Sequence, residues 1–170
     1  MARLPTRHAK ALAFRPISAA RDRRTLLSFG RGLYLESLGD ARAFERDYGP
    51  GGVRFPLWIA SCGARRPAFA AFLQEAETPI GMVVLGGDTR RRGVGHVHHF
   101  YVCAERRGQG FGGLLDDYAR ATLMSAGYDK ARLNVTKGNM RARRFYQAQG
   151  WEDVTPTGAA GGLRHMEVRL

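Results

Sequence analysis

Residues 106–113 read Arg106-Arg107-Gly108-Gln109-Gly110-Phe111-Gly112-Gly113, with glycines crowded where an apolar run ends and a helical pattern begins. Glycine permits positive φ and lets a ligand approach the backbone closely. The first amides of a helix lack intrahelical partners and lie at the positive end of its dipole. Together these make an anion cradle suited to a pyrophosphate. Arg106 and Arg107 add charge beside it. Just upstream, Gly95-His96-Val97-His98-His99-Phe100-Tyr101-Val102 carries three histidines. An imidazole titrates at about 6.5, a suitable value for taking a proton at neutral pH. Residues two apart in a strand share a face, so His96 and His98 are expected on one side and His99 on the other. Packing or hydrogen bonding also accounts for one or two of these histidines.

Two other phosphate-binding loops are excluded. Gly108, Gly110 and Gly113 match the spacing of a dinucleotide fingerprint. That motif, however, follows the first strand of a parallel sheet and needs an acidic residue about 20 positions on, and none stands near residue 132. A Walker loop would need Gly-Lys-Ser/Thr, which does not follow.

These residues must be positioned by the rest of the chain. Its 170 residues predict a single domain over 1–170, with a basic N-terminal extension at 1–10. Hydrophobic residues make up 44%, as in a globular protein. No run approaches the roughly 18 apolar residues of a membrane span, and the apolar stretch after the basic start is too short for a signal peptide. A cytoplasmic protein without membrane contact is expected. Cys62 and Cys103 form neither a metal spacing nor a disulfide framework, and no metal site is expected. The net charge is +12, which attracts polyanions such as nucleic acid, acidic lipid or a phosphorylated cofactor.

A short strand at Phe14–Ile17 is followed by helical spacing from Ser18 to Asp47, with a break at Ser37–Ala41. Residues 53–67 are ambiguous, because apolar residues alternate with Pro56, Pro67 and a basic pair. Ala68–Glu75 and Pro79–Leu85 read as a hairpin and Gly95–Val102 as a strand. Leu114–Ser125 is helical, Ala131–Thr136 a strand, and Asn139–Gln149 a helix between an Asn cap and Gly150. Two strands follow, at Trp151–Thr155 and Leu163–Leu170. This order predicts an α/β (α+β) fold: one mixed sheet of about six to seven strands with about four helices.

Two blocks carry a resemblance. Val102 to Gly112 fits V-x-x-x-x-R-G-x-G-x-G, and Asn139 to Trp151 fits N-x-x-A-x-x-x-Y-x-x-x-G-[FW]. Both are similar to signatures of the GNAT family of N-acetyltransferases, and the order of elements agrees over essentially the whole chain. The resemblance implies an enzyme that moves the acetyl group of acetyl-CoA directly to a primary amine of a small molecule or peptide. It implies a sheet splayed between its fourth and fifth strands, with pantetheine against Phe100, Tyr101 and Val102. The amides of Arg107, Gly108, Gln109, Gly110, Phe111 and Gly112 would hold the pyrophosphate. Asn139 and Ala142 would border the pantetheine, and Arg143 or Arg144 would reach the 3′-phosphate. Tyr146 would protonate the departing thiolate. His98 or His96 would be the base, with His99 ranked lower. An amide near Val102 would stabilise the oxyanion.

Asn134 either faces the acceptor or satisfies a splayed strand edge. Phe29, Tyr34, Tyr48 and Trp58 stand in segments that the family uses to wall its acceptor pocket, and core packing also accounts for each. A positive surface favours a neutral or acidic amine as acceptor. Against that, Glu36, Asp40, Glu45, Asp47 and Glu77 lie in acceptor-side segments and could make the pocket locally acidic. The resemblance also allows a homodimer. The alternatives are a nucleic-acid-binding module, supported by charge but by no motif, and a non-catalytic acyl-CoA-binding regulatory module, opposed by the intact loop, Asn139 and Tyr146.

Overall fold

The computed structural model describes residues 11–170, and the basic extension at 1–10 lies outside the described residues. The elements are β1 (Leu12–Pro16), α1 (Arg23–Leu38), α2 (Arg42–Tyr48), α3 (Arg54–Gly63), β2 (Ala70–Glu75), β3 (Thr78–Gly87), β4 (Val94–Val102), α4 (Phe111–Ser125), β5 (Lys130–Thr136), α5 (Met140–Ala148), β6 (Glu152–Asp153) and β7 (Leu163–Arg169). All seven strands form one mixed sheet in the order β1-β2-β3-β4-β5-β7-β6. Only β4 and β5 run parallel; the other neighbouring pairs are antiparallel.

The expected fold class and strand number agree with this sheet, but the described residues hold five α-helices rather than about four. The additional helix, α3, occupies the ambiguous stretch. Pro56 is its third residue, in the first turn, where a missing N–H loses no intrahelical bond. Phe55 and Ile59 then fall at helical spacing and are fully buried. The break between α1 and α2 is a left-handed glycine cap: Gly39 has φ 69° and donates its N–H to the Leu35 carbonyl at 2.9 Å.

One face of the sheet carries α4 and α5, with Leu115 and Leu123 packed on Val83, Leu85, Val97 and Leu133. The other face carries α1 and α3, with Leu26, Phe55 and Ile59 packed on Phe72, Met82 and Val84. Both faces are covered, so β3 is apolar along nearly its whole length instead of alternating. Gly30 lets α1 close on its neighbours, because a Cβ there would run into the rings of Phe44 and Phe55. A buried carboxylate ties α4 to the turn after α5. Asp116 accepts from Trp151 Nε1 at 2.8 Å and from Arg120 Nε at 2.7 Å, and Arg120 also donates to the Gln149 carbonyl.

Two irregularities in β4 shape the site. First, β4 pairs with β5 only from Val94 opposite Lys130 to Val97 opposite Leu133, so the strands part beyond that point, as expected. Second, Val84 lies opposite His99 while Leu85 lies opposite Val97, leaving His98 as an extra residue. Such a bulge reverses the alternation downstream of it. His99 therefore turns to the face of His96 and His98, not to the opposite one. The strict-alternation expectation is corrected: the His99 ring packs 5.8 Å from Phe55 and 5.2 Å from Trp58. Its Nε2 is buried without a hydrogen-bond partner among the described residues. Burial lowers the His99 pKa from 6.5 to about 3, with the neighbouring His98 and His96 adding to the shift.

Two outcomes follow for stability. Removing the acceptor in Asp116→Ala leaves the buried Trp151 N–H without a partner and strips Arg120 of its carboxylate, and should destabilise the fold by about 2–4 kcal/mol. Urea melts should show this as a lower midpoint with an unchanged slope. Because the folded pKa of His99 lies below its unfolded value, the unfolded chain binds the proton first. Stability should then fall as pH drops from about 6.5 towards 3, by up to about 1.4 kcal/mol per pH unit from this group. His99→Phe should flatten that dependence in melts compared between pH 7 and pH 4.

Candidate active site

A single cleft of about 940 Å³ opens where β4 and β5 part, and its walls come from both faces of the sheet. At one end is the glycine loop. Arg107 is extended, Gly108 has φ 74°, and Gly110, the residue before α4, has φ 85°. These positive φ values turn the chain sharply into the helix at little cost only for glycine. Among the described residues, none of the amides of Gly108, Gln109, Gly110, Phe111 and Gly112 has a hydrogen-bond acceptor, whereas Gly113 bonds back to the Gly110 carbonyl at 3.0 Å. The first turn of α4 has no acidic residue to neutralise its dipole. A Cβ at Gly108, Gly110 or Gly113 would meet nothing within 4 Å, so the loop faces open space. A row of unspent amides at an open helix start fits a phosphate group.

Every position expected to hold the cofactor lines this cleft except Gln109, Arg143 and Arg144. The Gln109 side chain folds back and donates to the Glu105 carbonyl at 3.1 Å. Arg143 turns to the far side of α5, where it donates to the Lys137 carbonyl at 3.3 Å and stands 3.9 Å from Asp153. Arg141 lines the cleft instead. Two positions along a helix differ by about 200°, so these two arginines cannot share a face. Asn139 caps α5 through Oδ1, which accepts from the Ala142 amide at 3.1 Å.

The sequence did not single out a contact that spans the cleft mouth. Glu36, near the end of α1, accepts from Arg107 at 2.6 Å and from Arg141 at 3.2 Å. Arg107 also donates to the Val102 carbonyl at 3.0 Å, satisfying one group on the edge where β4 leaves β5. Arg106 is paired with Glu75.

Midway along the cleft, Tyr146 stands against Phe100, Phe145 and Trp151, at ring distances of 6.1, 5.3 and 5.9 Å. Burial, aided by the Asp116 carboxylate, pushes its phenol well above the usual range, so it keeps its proton at neutral pH. Across the opening are His96 and His98, whose rings are 4.8 Å apart. Burial and the His96 ring lower the His98 pKa to about 4. Burial also lowers that of His96, assisted by Arg132 and His165 against the opposing pull of Asp88. Both imidazoles are therefore neutral near pH 7. Asn134 lines the cleft and lies 2.6 Å from His165 Nδ1 on the paired strand β7.

Beyond the histidines an aromatic wall continues. Trp58 is 5.3 Å from His98 and 6.1 Å from Tyr48, and Tyr48 is 6.1 Å from Tyr34. Tyr34, Tyr48 and Trp58 all line the cleft. Phe29 does not, and packs in the core between Phe72 and Tyr101.

Comparison with known proteins accords with this geometry. A model of the acetyltransferase (GNAT) family matches residues 37–151. An uncharacterized N-acetyltransferase of Archaeoglobus fulgidus is 39% identical over 59 residues, a match covering 35% of this chain and 40% of that protein. The fold is similar to that of the PaiA N-acetyltransferase of Thermoplasma acidophilum in complex with coenzyme A, with TM-score 0.77, 17% identity, and coverage of 94% of this chain and 99% of that one. It is also similar to Ard1 of Thermoplasma volcanium, with TM-score 0.70, 19% identity, and coverage of 94% and 98%. With the family model matched over more than half its length, the chain belongs to the GNAT family of acetyltransferases.

Proposed function

We propose that this protein transfers the acetyl group of acetyl-CoA directly to a primary amine of a small molecule or peptide. The observation that carries this reading is the run of unspent amides from Gly108 to Gly112, opening into a splay flanked by neutral histidines and a protonated tyrosine. The loop amides hold the pyrophosphate, and Arg107 and Arg141 are close enough to the same end to meet phosphate charge. The main chain of Phe100 to Val102, no longer bonded to β5, offers its polar groups to the pantetheine arm. Acetyl-CoA, when bound, supplies the acetyl group activated as a thioester.

The protein's own residues then manage protons. His98 takes the proton that the amine sheds, directly or through a water, with His96 beside it. Tyr146 holds a proton at Oη for the sulfur that leaves as the N–C bond forms and the C–S bond breaks. A base whose pKa is about 4 is unprotonated throughout the neutral range. The limiting protonation on the acidic side is therefore that of the amine substrate.

The reading is tested by thiol release over a panel of amines, together with calorimetric binding of acetyl-CoA. Gly110→Val forces a branched residue into a left-handed position in the cradle, and should weaken acetyl-CoA binding by on the order of 10-fold or more. Unchanged binding would remove the pyrophosphate assignment. Tyr146→Phe should lower kcat by on the order of 10–100-fold with little change in acetyl-CoA affinity. His98→Ala should lower kcat more than His96→Ala. The rising limb of the kcat/KM profile should follow the pKa of the amine used, with no inflection of its own at about 6.5.

A further inference from the structure

The acceptor half of the cleft differs in charge from the rest of the molecule. The arginines that line the cleft (Arg106, Arg107 and Arg141) are all at its cofactor end. Of the acidic residues near the acceptor side, Glu36 is held by Arg107 and Arg141, Asp40 by Arg46 at 2.9 Å, and Glu45 stands 3.6 Å from Arg31. Glu77 lies in the turn between β2 and β3 and does not reach the cleft. Asp47 remains. It lines the cleft, and among the described residues no arginine or lysine pairs with its carboxylate. The adjacent cation, Arg54, is engaged elsewhere and donates to the Asp47 main-chain carbonyl at 3.0 Å. The Tyr34 hydroxyl donates to Asp47 Oδ2 at 2.6 Å, which orients the carboxylate and leaves Oδ1 unbonded.

This carboxylate is at the end of the aromatic wall that leads from His98 through Trp58 and Tyr48 to Tyr34. An oriented anion beside electron-rich ring faces is the arrangement that recognises an organic cation. The amine that reacts must be neutral when it attacks, so a carboxylate at the far end of the wall cannot serve that nitrogen. It serves a second one. We propose that the acceptor carries two amines: one is acetylated beside His98, and the other, a positively charged ammonium, is held by Asp47 against Tyr34 and Tyr48. The proposal rests on the acetyltransferase reading and narrows it to a class of acceptor.

The net charge of +12 opposes the approach of a dication, but surface charges are screened over about 8 Å at physiological salt. The ion pair with Asp47, an exposed carboxylate on the cleft wall, acts at contact distance, well inside the screening length. The local carboxylate therefore decides selectivity, and the distributed charge mainly slows encounter.

The test uses the full chain loaded with CoA, so that binding is read without turnover, and a parallel thiol-release assay with acetyl-CoA. The probes are diamines from 1,3-diaminopropane to 1,8-diaminooctane, the monoamine of matching length for each, and the matching ω-amino acids. The best diamine should bind tighter than its monoamine by on the order of 10-fold, the combined reach of a screened ion pair and a cation–π contact. Asp47→Asn should reduce that preference to near equality. Asp47→Lys should invert the preference towards the ω-amino acid. Tyr34→Phe should lower it in part. If no diamine is preferred, or if the preference survives Asp47→Asn, the second-amine site is wrong. Transfer to monoamines without diamine preference would overturn this inference and leave the acetyltransferase reading standing. An Asp47-dependent diamine preference without any transfer would do the reverse.

Discussion

Hydrogen bonding between β4 and β5 stops at Val97 and Leu133, while β4 goes on pairing with β3 as far as Val102. A strand bonded on one side only leaves a row of main-chain groups to be satisfied on the other. Arg107 covers one of them. The rest face a cleft deep enough to reach both layers of helices. The position of each side chain in the site follows from that gap: α4 starts at one end of it, α5 lies along it, and α1 and α3 close it from the opposite face.

The parting of the strands has to be held against the tendency of the sheet to zip shut. On one side, the Asp116–Trp151–Arg120 contacts tie α4 to the turn after α5. On the other, the bulge at His98 redirects β4 just where pairing ends. The bulge also brings three histidines onto one face, which regular alternation forbids. His99 is then drawn into packing with Phe55 and Trp58, while His98 stays in the opening. The cost of desolvating these imidazoles lowers the pKa of all three, which keeps them neutral near pH 7 and makes them weaker bases than a free imidazole.

Charge is distributed by the same logic. Of the 15 acidic residues, eight stand in arginine pairs among the described residues, and it is the two that line the cleft whose pairing matters for the site. Glu36 bridges two arginines at the mouth of the cleft, and Asp47 is oriented by a tyrosine instead of a cation. The two ends of one cleft therefore present opposite electrostatic character within a molecule whose formal charge is +12.

Much of this was legible in the sequence because it depends on local backbone chemistry. Gly108 and Gly110 occupy left-handed turns that other residues avoid, Asn139 caps its helix, and Gly39 ends another, so the loop, the two motif blocks and the order of elements could be read directly. Pro56 misled because its position within the first turn, not its presence, decides whether a helix can form. Only the tertiary structure decided which way His99 faces, since a bulge is a property of the register between β3 and β4 and leaves no mark in the spacing of β4 alone. It also decided that Arg141 and not Arg143 meets the cleft, and that of the two acids lining the cleft Glu36 is paired with arginines while Asp47 has no cation among the described residues. Ion pairing joins residues as far apart as Glu36 and Arg141, and one-dimensional spacing does not record which partner a charge will find.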